Sequence, residues 1–497
     1  MKKYIVTAAL TLTLALAFTP TVIADREVSV KINGVYVEFP DQQPIIVDSR
    51  TLVPVRGVFE QLGFGVYWEI ESPQTATLIN DYYTVHITIG SKTFTVNGRG
   101  YTLDVPARLI GARTMLPIRA LLEAVGLVVD WDNAAWTVII SDDATRPAYI
   151  TIREERFSTR RTELHLFSRD LTNEDILPLR YMTNLETLFL DDNKISDITS
   201  LAGLTNLSVL SLSHNQVNDV AQLAGLDNLK LLSLSSNQIS DIAPLTQLSS
   251  LSSLCLENNQ ISNIVPLAGL TNLSTLFLSR NQISDIIPLT GLTNLSVLFL
   301  SHNQINDVAP FAGLHNLEVL CLCGNQISNI TALAGLVNLR RLHLSDNQVS
   351  DIAILVRLTY LEGLSLESNK ISNIVPLAGL YNLTNLRLGG NQISDITPLA
   401  RLYKLTRLWL NTSQINDITP LAGLTNLSEL FLCWNQISNI APLANLNNLE
   451  YLSLNSNRIS NITPLANLTN LTYLDLSHNQ ITDWSPVAHV EVVYGRP

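Results

Sequence analysis

At 497 residues the chain is too long for one ordinary globular core, so it must divide into domains or grow along one axis as a repeat array. Only 15% of its residues are charged, and acids outnumber bases to a net charge of -12. An acidic, lysine-poor chain is a poor partner for nucleic acid or an anionic membrane surface.

The chain opens Met1-Lys-Lys-Tyr-Ile-Val and continues as an apolar run to Phe18, with Val22-Ile-Ala24 before the first acid, Asp25. A basic start, a short apolar run and a small residue at the cleavage point read as a secretory signal peptide over residues 1–24. The run is short for a membrane span, so cleavage is preferred to an anchor, and no span is expected afterwards. The four cysteines, Cys255, Cys321, Cys323 and Cys433, all lie far along the chain. Cys321 and Cys323 alternate with leucine on one strand and point the same way, so four free thiols are expected.

Residues 27–143 contain a duplicated unit. Arg50-Thr-Leu-Val-Pro-Val-Arg-Gly-Val-Phe-Glu-Gln-Leu-Gly63 is echoed by Arg113-Thr-Met-Leu-Pro-Ile-Arg-Ala-Leu-Leu-Glu-Ala-Val-Gly126, and Trp68 and Trp131 follow at the same offset. Asn33-Gly34 and Asn97-Gly98 precede the copies and suit tight hairpin turns. Pro54 and Pro117 suit a first helical turn, and Gly63 and Gly126 suit a helix end. Val66-Tyr-Trp68, Val128-Val-Asp-Trp-Asp132 and Trp136-Thr-Val-Ile-Ile140 alternate as half-buried strands. The region is therefore expected to be α+β. Arg56 with Glu60, and Arg119 with Glu123, stand four apart on the helices and should pair with each other rather than do chemistry.

The repeated Arg-Thr-x-x-Pro-x-Arg-x-x-x-Glu-x-x-Gly run resembles the copper amine oxidase N-terminal-like domain, a stalk module of secreted bacterial proteins. The resemblance implies no catalysis. In the amine oxidases copper and the quinone cofactor belong to a separate domain, whose Asn-Tyr-acid motif has no counterpart here. The eight histidines are scattered without close metal-ligand spacing. No catalytic residue, metal or cofactor is expected. The alternative role for this module is contact with a cell-wall polymer.

Residues 144–163, beginning Ala144-Thr-Arg-Pro147, read as a linker and N-terminal cap, with Tyr149–Arg156 as a capping strand. The array is expected from Leu164 to about residue 490: after an irregular first repeat at Leu164-His-Leu166, 24 residues ahead of Leu188, Leu-x-x-Leu-x-Leu-x-x-Asn-x-Val returns every 22 residues, as in Leu207-Ser-Val-Leu-Ser-Leu-Ser-His-Asn-Gln-Val217. The asparagine recurs from Asn193 to Asn479, and only at Ser413 is it replaced. This is the spacing of a leucine-rich repeat solenoid: a parallel sheet on the concave face and mostly irregular or 3-10 turns on the convex face. Around Asn281, Leu273, Leu276, Leu278, Ile283, Ile286, Leu289 and Leu292 should point inward, Phe277 outward, and the asparagine should bond backbone groups of neighbouring coils. Residues 491–497 read as a C-terminal tail.

Asn-Gln-Ile-Ser-Asp-Ile-x-Pro-Leu-Ala-Gly-Leu-Thr-Asn-Leu resembles the internalin-type repeat of bacterial surface proteins. That resemblance implies an adhesin-like surface whose concave sheet docks a protein partner. Two aromatic zones on this face are the candidate partner-binding residues: Phe277 with Phe299, and Trp409 with Phe431, Tyr451 and Tyr473. Arg387 and Arg407 flank the second, and Trp434 stands near it. Aromatics with arginine on an open face have hot-spot composition. Single charges such as Arg341 read as solvated. The reading is a non-enzymatic, secreted or surface-associated bacterial protein that binds a protein partner. The alternative is an envelope scaffold holding wall polymer through residues 27–143.

Overall fold

The computed structural model describes residues 27–496 except 49, 70–73, 81–82, 112 and 143–148. The expected signal peptide and the start of the expected linker lie outside the described residues. The chain divides into two compact units that meet between Arg160 and Arg161.

In the first unit, the Asn-Gly dipeptides act as their chemistry demands. Asn33 and Gly34 have φ of 47° and 84° and join Ser29–Ile32 to Val35–Tyr36; Asn97 and Gly98, at 50° and 80°, join Thr93–Val96 to Arg99–Thr102. Two positive φ values in succession are what a tight right-twisted hairpin needs. Each Arg-Thr motif forms a strand, Arg50–Pro54 or Arg113–Pro117, that runs straight into a helix, Val55–Gln61 or Ile118–Ala124. The prolines cap these helices rather than occupy their first turn, and Gly63 and Gly126, both at φ 82°, end them. Trp136 was expected to open a strand. It sits instead at φ 51° in the turn before Thr137–Asp142.

The two copies interlock. Their motif strands pair antiparallel, Val53 opposite Leu116, with Pro54 opposite Met115 and Leu52 opposite Pro117. Equivalent residues thus exchange places across a local pseudo-two-fold axis. The motif arginines follow the same symmetry. Arg50 pairs with Asp104 at 2.8 Å, and Arg113 pairs with Asp41, the equivalent acid of the first copy. The helical pairs Arg56–Glu60, at 3.1 Å, and Arg119–Glu123, at 3.9 Å, form as expected. Symmetry breaks at the outer strands. Ser29–Ile32 pairs parallel with Thr137–Ile140, whereas Thr75–Ile79 reaches the other hairpin only through the intervening Thr84–Thr88. One core, including Val30, Phe59, Leu78, Phe94, Leu121 and Ile140, serves both copies.

Tyr149–Ile152, expected as a capping strand, is not a strand of the array sheet. It pairs antiparallel with Glu155–Ser158, and Arg160 then donates to the Ala124 carbonyl at the end of the second helix at 3.2 Å. Those bonds tie the segment to the first unit.

The second unit is a 16-stranded parallel sheet of three-residue strands, from Glu163–His165 to Val492–Tyr494. In every strand but the last the central residue is a buried leucine, Leu276 and Leu298 at 0% exposure for example, while its neighbours face outward; the last strand has the half-buried Val493 there. The return path is a short 3-10 turn such as Ile287–Leu289, begun by Pro288 and by Asp285 Oδ1, which accepts from the Ile287 N–H at 2.9 Å. The asparagine ladder is built as its chemistry suggests. Asn281 Nδ2 donates to the Leu256 and Leu278 carbonyls at 2.9 and 3.0 Å, and its Oδ1 accepts from the Ile261 N–H at 3.0 Å. At the exceptional coil, Ser413 Oγ is buried without a partner, and the Ile393 N–H has no acceptor among the described residues.

A second ladder, not anticipated from the sequence, runs along the turns that lead into the strands. There Asn272, Asn294 and Asn316 donate to the Ser249, Thr271 and Thr293 carbonyls of the preceding coils at 2.8–2.9 Å. The expected tail is also structured. Val492–Tyr494 pairs with Tyr473–Asp475 as the last strand, and Arg496 donates to the Val487 carbonyl at 2.7 Å. The final coil is shorter than the others, so a fixed-period search stops before it.

Candidate protein-docking face

The open face of the array sheet is formed by the residues that flank each buried strand leucine. At its first two strands this face carries a His165–Phe189 ring contact, centroids 4.9 Å apart, and over the next coils it is small and self-satisfied. Ser211 bonds Asp191, and Ser213 bonds Ser233 at 2.7 Å. Phe277 and Phe299 form an isolated edge-to-face pair, with centroids 4.9 Å apart and planes at 85°.

The last coils are different. Arg387 lies over the Trp409 ring at 4.2 Å, and Trp409 stacks on Phe431 at 5.3 Å with planes only 5° apart. The series then steps to the neighbouring column. Phe431 meets Tyr451 at 6.2 Å, Tyr451 stacks on Tyr473 at 4.2 Å and 7°, and Tyr473 meets Tyr494 at 5.4 Å. Six side chains from six successive strands form one continuous row of contacts, stacked at Trp409–Phe431 and Tyr451–Tyr473 and tilted at Phe431–Tyr451 and Tyr473–Tyr494. Parallel strand packing places equivalent residues close to the thickness of stacked rings, so aromatics in one column fall face to face. Each contact of this kind contributes about 0.5–1.5 kcal/mol beyond burial. Because the faces are spent on each other, ring edges are what the stack offers outward. Burial and the neighbouring Asp475 carboxylate raise the Tyr473 phenol above its ordinary value, so it stays a hydrogen-bond donor at neutral pH.

The other expected residues take different places. Arg407 is held by Glu429 at 2.9 Å, beside the stack rather than in it. Trp434 is 63% exposed at a left-handed backbone position, φ 56°, in the loop leaving its strand, and it makes no ring contact with the stack among the described residues. Tyr494, missed because its coil breaks the period, ends the stack and is 53% exposed.

Next to Arg387 the face sinks into a hollow of about 570 Å³, floored where Gly363 and Ser365 present almost no side chain. Arg341, expected to be a solvated charge, lines it and makes no ion pair among the described residues. Arg387 pairs across it with Glu367 at 3.7 Å. Burial raises the Glu367 carboxyl, and burial with the Arg387 and Arg341 charges lowers His343, so its imidazole is neutral near pH 7. The four cysteines are free, and burial pushes the Cys321 thiol up to about 12, far from a reactive thiolate. Among the described residues no His, Cys, Asp and Glu cluster could hold a metal ion.

The comparisons agree with this geometry. Leucine-rich repeat families match successive stretches from residue 183 to residue 489, and the copper amine oxidase N-terminal domain matches residues 31–140. The internalin inlF of Listeria monocytogenes is 34% identical, over 65% of this chain and 90% of that one, with a TM-score of 0.55. The chain belongs to the internalin-type leucine-rich repeat proteins. A leucine-rich repeat protein of Leptospira interrogans, 25% identical over 67% of this chain and 90% of that one, superposes with a TM-score of 0.62. The InlJ functional domain of Listeria monocytogenes, at 18% identity over 65% and 75% of the two chains and a TM-score of 0.54, shares the fold alone. No curated protein matches the chain. Internalin-type arrays are protein-binding surfaces, and the N-terminal domain family is non-catalytic. No helix among the described residues is long and apolar enough to cross a membrane.

Proposed function

We propose that this internalin-type protein is exported, acts without enzymatic chemistry, and docks a protein partner on the sheet face of its last coils. The observation that carries the reading is the unbroken stack from Arg387 to Tyr494. It is a rigid aromatic surface with an arginine end, the composition that concentrates binding energy in protein interfaces. Little side-chain entropy remains to be lost there on binding. Phe277 and Phe299 offer a smaller secondary contact, and Trp434 and Arg407 border the main one. The acidic balance of the chain favours protein over nucleic acid.

The test places a photocrosslinking residue at Tyr473 in the source cells and compares two double variants. Trp409→Ala with Phe431→Ala should cut the yield of the crosslinked partner by about tenfold or more, as loss of a hot spot does. Ser211→Ala with Ser233→Ala, far along the same sheet, should leave it unchanged. Equal yields from a correctly folded Trp409/Phe431 variant would remove the stack as the docking site.

A further inference from the structure

The duplicated first unit contains its own control, because one scaffold is built twice with different side chains. Beside the first helix, Val55–Gln61, lies a groove of about 770 Å³. Its apolar side is Phe39 and the Trp68 indole, which is 37% exposed. Phe39 packs so closely on the helix that a Cβ at Gly57 would lie 2.8 Å from its ring, so the glycine is needed for the groove's shape. The same groove is lined by Gln42, Gln61 and Gln74. Gln61 and Gln74 spend no side-chain hydrogen bond on the protein among the described residues, and Gln42 donates only to the neighbouring Gln43 carbonyl at 3.0 Å.

The second copy lacks these features. At the equivalent positions Gln42 becomes Val105, Gln61 becomes Ala124 and Gly57 becomes Ala120, and the ring of Phe39 gives way to the aliphatic Leu103. Its tryptophan is occupied: Trp131 packs against Trp136 at 6.0 Å, and its Nε1 donates to Asn133 at 2.9 Å. The scaffold therefore folds without the amides and without an open indole, so folding does not explain their presence in the first copy.

The charges narrow the ligand. Arg56 is paired with Glu60, and Arg113 with Asp41, leaving Glu38 and Glu69 as charges on the groove wall with no ion pair among the described residues. Phosphate or another anion would meet net repulsion there. Carboxamides both donate and accept, as the hydroxyls and acetamido groups of a sugar do. An indole offers a flat apolar face to the C–H face of a pyranose ring.

We propose that this groove binds a neutral or amino-sugar glycan, with one ring on Trp68 and its polar groups on Gln42, Gln61 and Gln74. The site is independent of the array and of its partner. The experiment titrates the full chain with chitohexaose and, separately, with lipoteichoic acid and a proline-rich decapeptide. Saturable chitohexaose binding is expected, weakened about tenfold or more by Trp68→Ala. The pair Gln42→Val with Gln61→Ala installs the second copy's own residues, so the fold is preserved. It should weaken binding about three- to tenfold per lost hydrogen bond. No saturable chitohexaose binding, unchanged affinity in both variants, or preferred binding of the anionic polymer or the peptide would each overturn the proposal.

Discussion

The molecule repeats itself in two ways, and the two ways distribute stability differently. The array repeats by translation. Each coil touches the coils before and after it, and the same leucine and asparagine positions recur from coil to coil, with Ser413 the exception among the asparagines. The first unit repeats by rotation. Its copies exchange strands, ion pairs and core across one local axis, so neither copy holds a complete core of its own. Translation leaves the outward side chains free to vary coil by coil, which lets the coils at Ser211 and Ser233 be serine and the last ones a ladder of rings. Rotation leaves less freedom inside, and the two copies differ most at their outer grooves.

The contrast can be tested from its strongest point. Leu116 is fully buried on the pseudo-axis opposite Val53. Leu116→Ala should cost about 2–5 kcal/mol and lower the melting of both copies as one transition, with the array's own transition unmoved. Hydrogen exchange that protects one copy while exposing the other would break the picture of a shared core. A smaller effect is expected in the array. Asn281→Ala strands the Ile261 N–H and takes one of two side-chain donors from each of the Leu256 and Leu278 carbonyls, which keep Asn259 and Asn303, and should lower stability by about 1–3 kcal/mol, read as a lower urea midpoint. Exchange should quicken near that rung and fade with distance along the solenoid, because coupling passes only between neighbours. The smallest effect runs the other way. Ser413→Asn supplies an acceptor to the Ile393 N–H and should stabilise by about 1 kcal/mol. A fall in the urea midpoint would show that this coil is shaped around serine rather than missing a rung.

Much of the architecture could be read directly from the letters. A ladder residue meets its counterpart one coil away, so a contact in space becomes a period in sequence, and the leucines, Asn281 and the inward alternation all follow. Duplication was equally visible, down to the Asn-Gly turns and the Arg56–Glu60 pair. The outward columns named the stack residues from Arg387 to Tyr473.

What the letters could not settle depends on contacts with no fixed spacing. Tyr149–Ile152 pairs with Glu155–Ser158, and the nearby Arg160 bonds the Ala124 carbonyl of the first unit, a contact with no fixed spacing in the chain. Tyr494 joined the stack because the last coil is shortened and so leaves the period. The reciprocal pairs of Arg50 with Asp104 and Arg113 with Asp41 link positions far apart in the chain. The groove at Trp68 and the hollow at Gly363 exist only where neighbouring elements leave space, and space between elements has no residue of its own to mark it. The sequence by itself determined the repeating scaffold, because periodic burial is a local pattern. The tertiary structure alone decided which outward side chains meet, because their meeting depends on how separate segments close around one another.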